Sequence, residues 1–531
     1  MTGPADRGHR APASPSSRSA GPIRPWHQRV HPADALLVLL LIGVAALRVL
    51  FLLTNQLQLS ADEMHYWDWS RRLDLAYYSK GPLVALLIAA STPLFGHDQL
   101  GVRLPAVALG ALFVLLIYLH GRVRLDPWSA LTLAAAVQLL PLVAGLGLAM
   151  TTDAPVLVCW ALALMALAPA VRRRSTAAWL IYGLAAAAGI SAKYTTLLLP
   201  VGLLLLTPLI ACARPLLRQP GFWFGQLLAL AGLLPLVVWN SRHGWVNLAH
   251  NAGHLGLGAS LDPAQLLLGP LELVSTQLLL LGPVTAPLLC IAAWRAVPFA
   301  WRRRDPYPLL LAGLAALLLL VCLLVSTRRT VYANWPLPLA VIAILLVVEI
   351  WPQLCHSWQR RRWLLIGSAL NGLILGIALL PFYGLRFGLS ADRLPTRKLM
   401  GWRELTESLR QREPQRLADA RLLITDRYTT ASALAHGLQR PPGDVITVAL
   451  GTGRMNQYDL WARADLPGRV GTDALVVLDT KTDPQPLQAL FARVEPLAPL
   501  VVSGAGMAPR RYRVLMAYGY NGSPLPQPSR R

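Results

Sequence analysis

The residues best suited to chemistry follow the first apolar stretch of the chain. Asp62 and Glu63 are adjacent there, and His65 and Tyr66 follow them after Met64. A carboxylate held at a surface can act as a general base towards a hydroxyl or an amine. Carboxylates are also hard oxygen ligands for a divalent metal. A solvated acidic loop would have the same composition, so these residues alone leave all three interpretations open.

Four cations also lie at the ends of apolar stretches. Lys80 follows two tyrosines, Lys193 precedes another, and Arg328 and Arg329 are adjacent. A lysine is a compact cation suited to phosphate, and arginine forks match phosphate oxygens. The alternative is that these side chains extend to the membrane surface and bind nothing.

Asp153 is the only charged residue in the short segment Met150–Pro155, between two apolar runs. It is either functional or the N-cap of the helix that Pro155 would begin. His250 and His254 have a spacing found in helical metal sites. Surface histidines are the favoured interpretation of that pair.

These residues must be positioned by membrane helices. The chain has 531 residues, 55% hydrophobic and 14% charged, whereas soluble domains carry about 25% charged residues. Runs of about 20 apolar residues have the length needed to cross a bilayer. They predict an α-helical polytopic membrane protein with about eleven transmembrane helices, at about 34–54, 102–120, 128–150, 154–171, 177–192, 195–213, 221–239, 266–294, 307–326, 335–352 and 363–384. Pro82–Leu94 is too short to span, so we expect it to lie at the interface.

The basic clusters set the expected orientation. Every second loop carries arginines, in phase along the whole membrane part, which predicts that these loops and the N-terminus are cytoplasmic. The net charge of +23 is thereby explained by topology, and no nucleic-acid partner is expected. Residues 1–31 lack apolar periodicity and predict a disordered basic cytoplasmic tail. The carboxylates and cations described above then share the outer face, where they fit a lipid-borne phosphate whose headgroup is transferred. No such grouping is expected on the cytoplasmic side.

The C-terminal part, 389–531, changes character. Trp402–Arg412 predicts an amphipathic helix, and short apolar runs predict strands at Arg421–Thr425, Val445–Leu450, Ala474–Leu478 and Arg513–Ala517. Helical pieces are expected at Leu434–Leu438 and Leu487–Val494. The alternation predicts a small α/β domain outside the membrane.

Several short motifs resemble those of bacterial glycosyltransferase family 39, of the GT-C class. Relatives include protein O-mannosyltransferases and the lipid A aminoarabinose transferase. The motifs are Ala61-Asp62-Glu63-Met64-His65-Tyr66-Trp67, Tyr77-Tyr78-Ser79-Lys80-Gly81-Pro82-Leu83, Gly101-Val102-Arg103-Leu104-Pro105, Thr152-Asp153-Ala154-Pro155, Ser191-Ala192-Lys193-Tyr194, Trp239-Asn240 with His243-Gly244-Trp245, Asn334-Trp335-Pro336 and Gln457-Tyr458-Asp459-Leu460-Trp461. Their order and shared outer placement make the match specific.

The resemblance implies a GT-C transmembrane domain over 32–388, with a first outer loop at 55–100. It implies transfer of a sugar from a polyprenyl-phosphate donor to a glycolipid, glycan or protein acceptor at the outer face of a bacterial inner membrane. The C-terminal domain would then be periplasmic. Metal use stays open, since some relatives bind a divalent metal and others need none.

The resemblance also implies roles for single residues. Asp62 corresponds to the family's catalytic base and Asp153 to its second outer-loop aspartate, and both are expected to be catalytic. Lys80 corresponds to the lysine of a Glu-Lys-Pro-Pro stretch. Ser79 and Gly81 depart from that stretch, which argues against aminoarabinose as the sugar. The donor phosphate is expected at Lys80, Lys193, Arg328 and Arg329. The expected substrate contacts are Glu63, His65, Tyr66, Tyr78, Asn240, His243 and Asn334.

Three other functions compete with this one. A transporter or flippase of lipid-linked sugars would place its charges near the membrane midplane and often shows inverted repeats. A ligase or polymerase of lipid-linked glycans would share the donor class but lacks these motifs. A non-catalytic scaffold would be insensitive to changes at the outer carboxylates.

Overall fold

A computed structural model of the chain describes residues 31–55, 57–254, 262–355, 358–383, 399–450, 455–504 and 507–526. The expected disordered tail, apart from His31, and the expected domain boundary near residue 388 lie outside these ranges. Within them, the membrane part contains, in chain order, the helices α1 (Pro32–Thr54), α2 (Ala61–Ser70), α3 (Leu83–Phe95), α4 (Gln99–Arg124), α5 (Pro127–Gln138), α6 (Pro141–Leu146), α7 (Asp153–Arg173), α8 (Thr176–Ala192), α9 (Leu198–Leu209), α10 (Pro220–Ala231), α11 (Leu234–Arg242), α12 (Val246–Gly253), α13 (Pro263–Leu281), α14 (Thr285–Arg303), α15 (Pro306–Ser326), α16 (Leu337–Cys355) and α17 (Trp358–Leu379).

Apolar helices of membrane-spanning length dominate this part. Within the described residues, seven helical segments are long and apolar enough to cross a bilayer: Pro32–Thr54, Gln99–Arg124, Asp153–Arg173, Pro220–Arg242, Pro263–Leu281, Pro306–Ser326 and Arg362–Tyr383. Four further apolar helices are shorter: Leu83–Phe95, Thr176–Ala192, Tyr194–Leu209 and Leu337–Trp351. The expected polytopic helical architecture is confirmed.

Three predicted spans are each divided into two helices. The span predicted at 128–150 breaks between α5 and α6, where Pro141 lacks the N–H needed to continue the preceding turn. The one at 266–294 breaks at Gly282, whose φ of +86° favours glycine. The one at 221–239 bends between α10 and α11, where Pro235 begins a new first turn.

The expected first outer loop contains two helices, α2 and α3. The acidic segment 61–67, expected as a loop, lies in α2. Ser60 caps this helix by accepting from the backbone N–H of Glu63, and the Glu63 carboxylate accepts from the backbone N–H of Ser60. This reciprocal pair satisfies two N–H groups that have no partner within the helix.

The C-terminal part is an α/β domain, as expected. It contains α18 (Trp402–Arg412), α19 (Pro414–Asp419), β1 (Leu422–Thr425), α20 (Tyr428–Gly437), β2 (Val445–Thr447), α21 (Gln457–Asp465), β3 (Ala474–Asp479), β4 (Phe491–Pro496), β5 (Leu500–Gly504) and β6 (Met507–Tyr520). Its sheet has the order β2-β1-β3-β6-β4, with β5 paired to β6. Strands β1, β2 and β3 are parallel, and β6 is antiparallel to its neighbours.

The prediction of a helix at Leu487–Val494 is wrong. This segment is a short 3-10 turn followed by β4, which pairs with β6. Arg493 and Glu495 within β4 weaken the apolar signal of the strand, so the sequence pattern does not reveal it. Strand β5 was likewise not expected.

The domain packs on α2 through a shared apolar core. Trp67 and Trp69 of α2 lie in one buried cluster with Leu405, Leu434 and Val477 of the domain. Apolar area buried across this contact stabilises the packing of α2 against the domain.

A partly buried charged cluster lies at the end of α7 opposite Asp153, about 30 Å away by helix rise. Arg172 bonds Asp305 at 2.6 Å and Glu349 at 2.7 Å, and Arg124 reaches Glu349 at 3.3 Å. The cluster was not expected from the sequence, because one carboxylate inside an apolar helix gives no sign of its partners. It joins the ends of α4, α7 and α16 to the start of α15.

We predict that Glu349→Gln lowers the free energy of unfolding by about 2 kcal/mol, because a charged hydrogen bond is lost. The loss is smaller than for a fully orphaned charge, because Arg172 keeps Asp305. Thermal unfolding in detergent measures it. The matched control is Glu407→Gln, whose exposed pair with Arg410 is worth at most about 1 kcal/mol. Equal effects of the two variants would contradict the prediction.

Candidate functional site

Helix α2 is fixed to the membrane bundle by one buried ion pair. Arg103 of α4 donates from Nε and Nη2 to the two Glu63 oxygens, each at 2.7 Å. Both side chains are 0% exposed. Glu63 Oε1 also accepts from the backbone N–H of Met150 at 3.0 Å. One carboxylate therefore connects α2, α4 and the segment that leads to α7.

These contacts give Glu63 a structural role, whereas the sequence predicts a contact with substrate. Burial alone would raise the pKa of Glu63, but the Arg103 charge and the N–H donors outweigh it and hold the pKa below its ordinary value. The carboxylate is therefore charged and already surrounded by donors. It orients the helix that carries its neighbour Asp62.

Asp62 has the opposite environment. Of the ten residues of α2, it alone is exposed. Its Oδ1 accepts a hydrogen bond at 3.0 Å from the Tyr428 hydroxyl, which belongs to α20 of the C-terminal domain. A carboxylate that is held at one oxygen and exposed can take a proton from an incoming group.

Tyr66 lies within electrostatic reach of both candidate carboxylates. Burial raises the pKa of its hydroxyl well above the ordinary value, and the charges of Asp62 and Asp153 raise it further. The hydroxyl stays protonated at any working pH. Asp62 and Asp153 are far apart in the sequence, yet both lie close enough to Tyr66 to act on it electrostatically.

Side chains from three of the motifs named in the sequence analysis meet at Asp153. Its Oδ1 accepts from Lys193 Nζ at 2.8 Å, and its Oδ2 accepts from Asn334 Nδ2 at 2.5 Å. Asp153 and Lys193 are 4% and 7% exposed. Lys193 was expected to hold a phosphate, but here its ammonium pairs with a carboxylate.

The segment that carries Lys80 is held by side chains from two other regions. Asn247 of α12 donates to the Tyr77 carbonyl, and to the Lys80 carbonyl at 3.4 Å. Asn251 donates to the Ser79 carbonyl at 3.2 Å. From the C-terminal domain, Gln457 Oε1 accepts from the backbone N–H of Tyr78 at 2.7 Å. Lys80 itself is half-buried.

Asn240 and His243 hold the corner between α11 and α12. Asn240 is 2% exposed, and its Oδ1 accepts from the Leu248 N–H at 3.1 Å. His243 stacks on Trp239 with ring centres 3.9 Å apart. These contacts orient α12 and so the asparagines that hold the Lys80 segment.

Arg328 and Arg329 are exposed, at the end of α15. Arg329 Nη1 donates to the Gly253 carbonyl at the end of α12, at 2.9 Å. The nearby His250 and His254 face each other, with their Nε2 atoms 3.3 Å apart. No group of three metal-ligating side chains occurs in the part of the chain that the structure describes.

His65 is enclosed by aromatic rings. Its ring stacks on Tyr458 at 5.0 Å and lies 5.1 Å from Tyr428 and 4.8 Å from Trp69. Burial lowers the pKa of His65 to about 3, so the imidazole is neutral at physiological pH. His65 thus packs α2 against the C-terminal domain.

The chain is similar to several known proteins. Residues 79–239 match the family described as Dolichyl-phosphate-mannose-protein mannosyltransferase. The lipid A galacturonosyltransferase RgtD of Rhizobium johnstonii is 29% identical over 359 residues, which are 66% of this chain and 70% of that protein. The structure of ArnT from Cupriavidus metallidurans in the apo state has a TM-score of 0.61 at 16% identity, over 91% of this chain and 98% of that one. These matches support the expected resemblance to glycosyltransferase family 39, of the GT-C class.

Another relative and a second structure are consistent with this resemblance. An undecaprenyl phosphate-alpha-4-amino-4-deoxy-L-arabinose arabinosyl transferase of Pseudomonas aeruginosa is 34% identical over 196 residues, only 35% of each protein. ArnT from C. metallidurans bound to undecaprenyl phosphate has a TM-score of 0.59 at 17% identity, over 90% of this chain and 97% of that one. The chain is a multi-pass membrane glycosyltransferase, and the expected fold and enzyme class are confirmed.

Sequence patterns do not identify several residues that shape the candidate site. These residues are Asn247, Asn251 and Tyr428. Arg103 and Gln457 lie in motifs that the sequence analysis names, but the contacts through which they position the site are not evident from the sequence. The spacing of Asn247 and Asn251, four apart on one helix face, was the one available signal. Their partners are backbone carbonyls, which no sequence pattern identifies.

We predict that Glu63→Leu and Arg103→Met each lower the free energy of unfolding by about 3–5 kcal/mol, because each leaves a buried charge unpaired. The double variant Glu63→Leu/Arg103→Met leaves neither charge, so its loss is expected to be well below the sum of the single losses. Thermal unfolding of the three variants in detergent measures the coupling. Simple additivity would show that the two side chains act independently.

We also predict that His65→Phe flattens the pH dependence of stability. The folded-state pKa of about 3 lies below the unfolded value near 6.5, so the unfolded state binds the extra proton. His65 therefore costs about 1.4 kcal/mol of stability per pH unit as the pH falls below about 6.5. Melting temperatures between pH 7 and pH 4 should fall less steeply for the variant than for the wild type. Equal slopes would contradict a buried neutral His65.

Proposed function

We propose that the protein transfers a sugar from a polyprenyl-phosphate donor to a glycolipid acceptor on the outer face of a bacterial inner membrane. In this proposal the N-terminus is cytoplasmic and the C-terminal domain periplasmic. The observation that carries it is the exposed Asp62 carboxylate on an otherwise buried, rigidly held helix.

The relatives support the donor and acceptor classes. One is named as a transferase of an undecaprenyl-phosphate-linked sugar, and ArnT was solved with undecaprenyl phosphate bound. Another is named as a lipid A galacturonosyltransferase. A lipid-linked donor also suits a bundle whose candidate residues lie at helix ends. A glycan or a protein as acceptor is the alternative that the assay below distinguishes.

The proposed reaction is a single displacement at the anomeric carbon of the sugar. Asp62 takes the proton of the acceptor hydroxyl, whose oxygen forms the new bond to that carbon. The bond from the carbon to the phosphate oxygen breaks, and the polyprenyl phosphate leaves with the electron pair. Lys80 offsets the charge that develops on this leaving group.

The other cations and Asp153 have supporting roles in the proposal. Asp153 holds Lys193 and Asn334 in fixed positions through its two oxygens. Lys193 can then present remaining N–H groups to a donor phosphate, because an ammonium has three. Arg328 and Arg329 are exposed cations that fit the outer part of a phosphate-binding surface.

The first acidic motif does not fit a metal site. Glu63 is saturated by N–H donors, and His65 is enclosed by rings. Only Asp62 of this motif is exposed. No reaction step is therefore assigned to a divalent metal, and transfer assayed with and without a chelator tests this directly.

We predict that Asp62→Asn and Lys80→Ala remain folded but lose about a hundredfold or more in transfer rate, the usual effect of removing one charge-stabilising group. The assay uses purified protein in liposomes with undecaprenyl-phosphate galacturonic acid or undecaprenyl-phosphate aminoarabinose as donor. Lipid A, a peptide mixture and a lipid-linked glycan serve as acceptors, and mass spectrometry identifies the product.

The matched controls are Asp483→Asn and Lys481→Ala, surface residues of the C-terminal domain, which should keep the wild-type rate. Full activity of Asp62→Asn would exclude Asp62 as the base. Product formed only on the peptide would overturn the glycolipid acceptor.

A further inference from the structure

The C-terminal domain contacts both parts of the candidate site. Tyr428 of α20 donates to Asp62 at 3.0 Å. Gln457, the first residue of α21, accepts from the backbone N–H of Tyr78 at 2.7 Å. Tyr78 is two residues from Lys80. The domain thus reaches the proposed base through one side chain and the proposed phosphate-binding segment through another.

The motif Gln457-Tyr458-Asp459-Leu460-Trp461 explains how α21 is placed. Gln457 and Trp461, one helical turn apart, face the same side. Gln457 meets Tyr78, while the Trp461 ring lies 4.6 Å from the guanidinium carbon of Arg72. Asn456 caps the helix, and the Asp459 carboxylate completes this capping box by accepting from the backbone N–H of Asn456 at 2.8 Å. The motif therefore builds a helix whose first turn meets the Lys80 segment.

Separate contacts fasten the domain to α2 and the residues after it. Arg72 bonds Asp465 at 2.6 and 3.1 Å. Arg71 donates to the Arg440 carbonyl at 2.7 Å. The apolar core described above adds to these bonds. The docking of the domain consequently does not depend on the Tyr428 hydroxyl or on the Gln457 amide.

We infer that Tyr428 and Gln457 are positioning residues for the transfer reaction, so that the C-terminal domain is a working part of the catalytic site. Tyr428 fixes the rotamer of Asp62, and Gln457 fixes the backbone that presents Lys80. The inference rests on the proposed function, because it assumes that Asp62 and Lys80 act on the donor and acceptor.

The two residues act on different steps, so their loss should be visible in different kinetic constants. Without Tyr428's hydroxyl, Asp62 samples other rotamers, which lowers kcat while donor binding persists. Without the Gln457 acceptor, the Tyr78–Lys80 backbone loosens, which raises the donor KM. One hydrogen bond of this kind is expected to change each constant about three- to tenfold.

The experiment uses the full-length protein in liposomes with the undecaprenyl-phosphate sugar that the wild type turns over. Tyr428→Phe keeps the ring beside His65 and removes only the hydroxyl. Gln457→Leu keeps the size of the side chain and removes the acceptor, whereas Gln457→Glu keeps an acceptor oxygen. The matched controls are Tyr518→Phe and Gln485→Ala, in the same domain and away from these contacts.

We expect Tyr428→Phe to lower kcat, Gln457→Leu to raise the donor KM, and Gln457→Glu to restore a KM near the wild-type value. Melting temperatures within about 2 °C of the wild type would exclude a loss of folding. Wild-type kinetics in both Tyr428→Phe and Gln457→Leu, beside an inactive Asp62→Asn, would overturn the inference alone. An active Asp62→Asn, or a wild type that transfers no sugar, would overturn the proposed function instead.

Discussion

The buried ion pair between Glu63 and Arg103 is the interaction on which the rest of the site depends. Two fully buried charges can remain in a protein only when each is satisfied by close partners. Here Arg103 donates to both oxygens of the Glu63 carboxylate. The same carboxylate caps α2 and binds the N–H of Met150. Because those bonds fix α2 and the segment before α7 together, they fix Asp62 and Asp153 relative to each other.

Opposite environments of neighbouring carboxylates follow from this constraint. Glu63 points into the bundle and loses its capacity to react, whereas Asp62, one position earlier, points outward and keeps it. Rigid support beside an exposed reactive group is the arrangement that electrostatic catalysis requires, since the charged groups need not reorganise during the reaction. The C-terminal domain continues this support on the other face of α2, through the shared apolar core and Tyr428.

The sequence predicts which motifs share a face, but it does not predict which side chains pair. The alternation of basic and non-basic loops, together with the helix lengths, is enough to place Asp62, Asp153 and Lys193 at the same end of the bundle. The Lys193–Asp153 bond depends on the packing of α7 against α8, and no local pattern reports it. Ser60 and Glu63 did carry a local signal, since a serine followed by a glutamate three positions later begins many helices. The docking of the C-terminal domain had no such signal, because Gln457 binds a backbone N–H group.

The proposed reaction requires a lipid-borne phosphate to bind beside Lys80, at the same end of the bundle as Asp62. The most direct test is a cryo-EM structure of the full chain in nanodiscs with undecaprenyl phosphate. The proposed reaction predicts a phosphate oxygen within about 3 Å of Lys80 Nζ, the length of a charge-assisted hydrogen bond, with the lipid tail running between the helices. A phosphate bound instead at the opposite end of α7, beside Arg172, would contradict it.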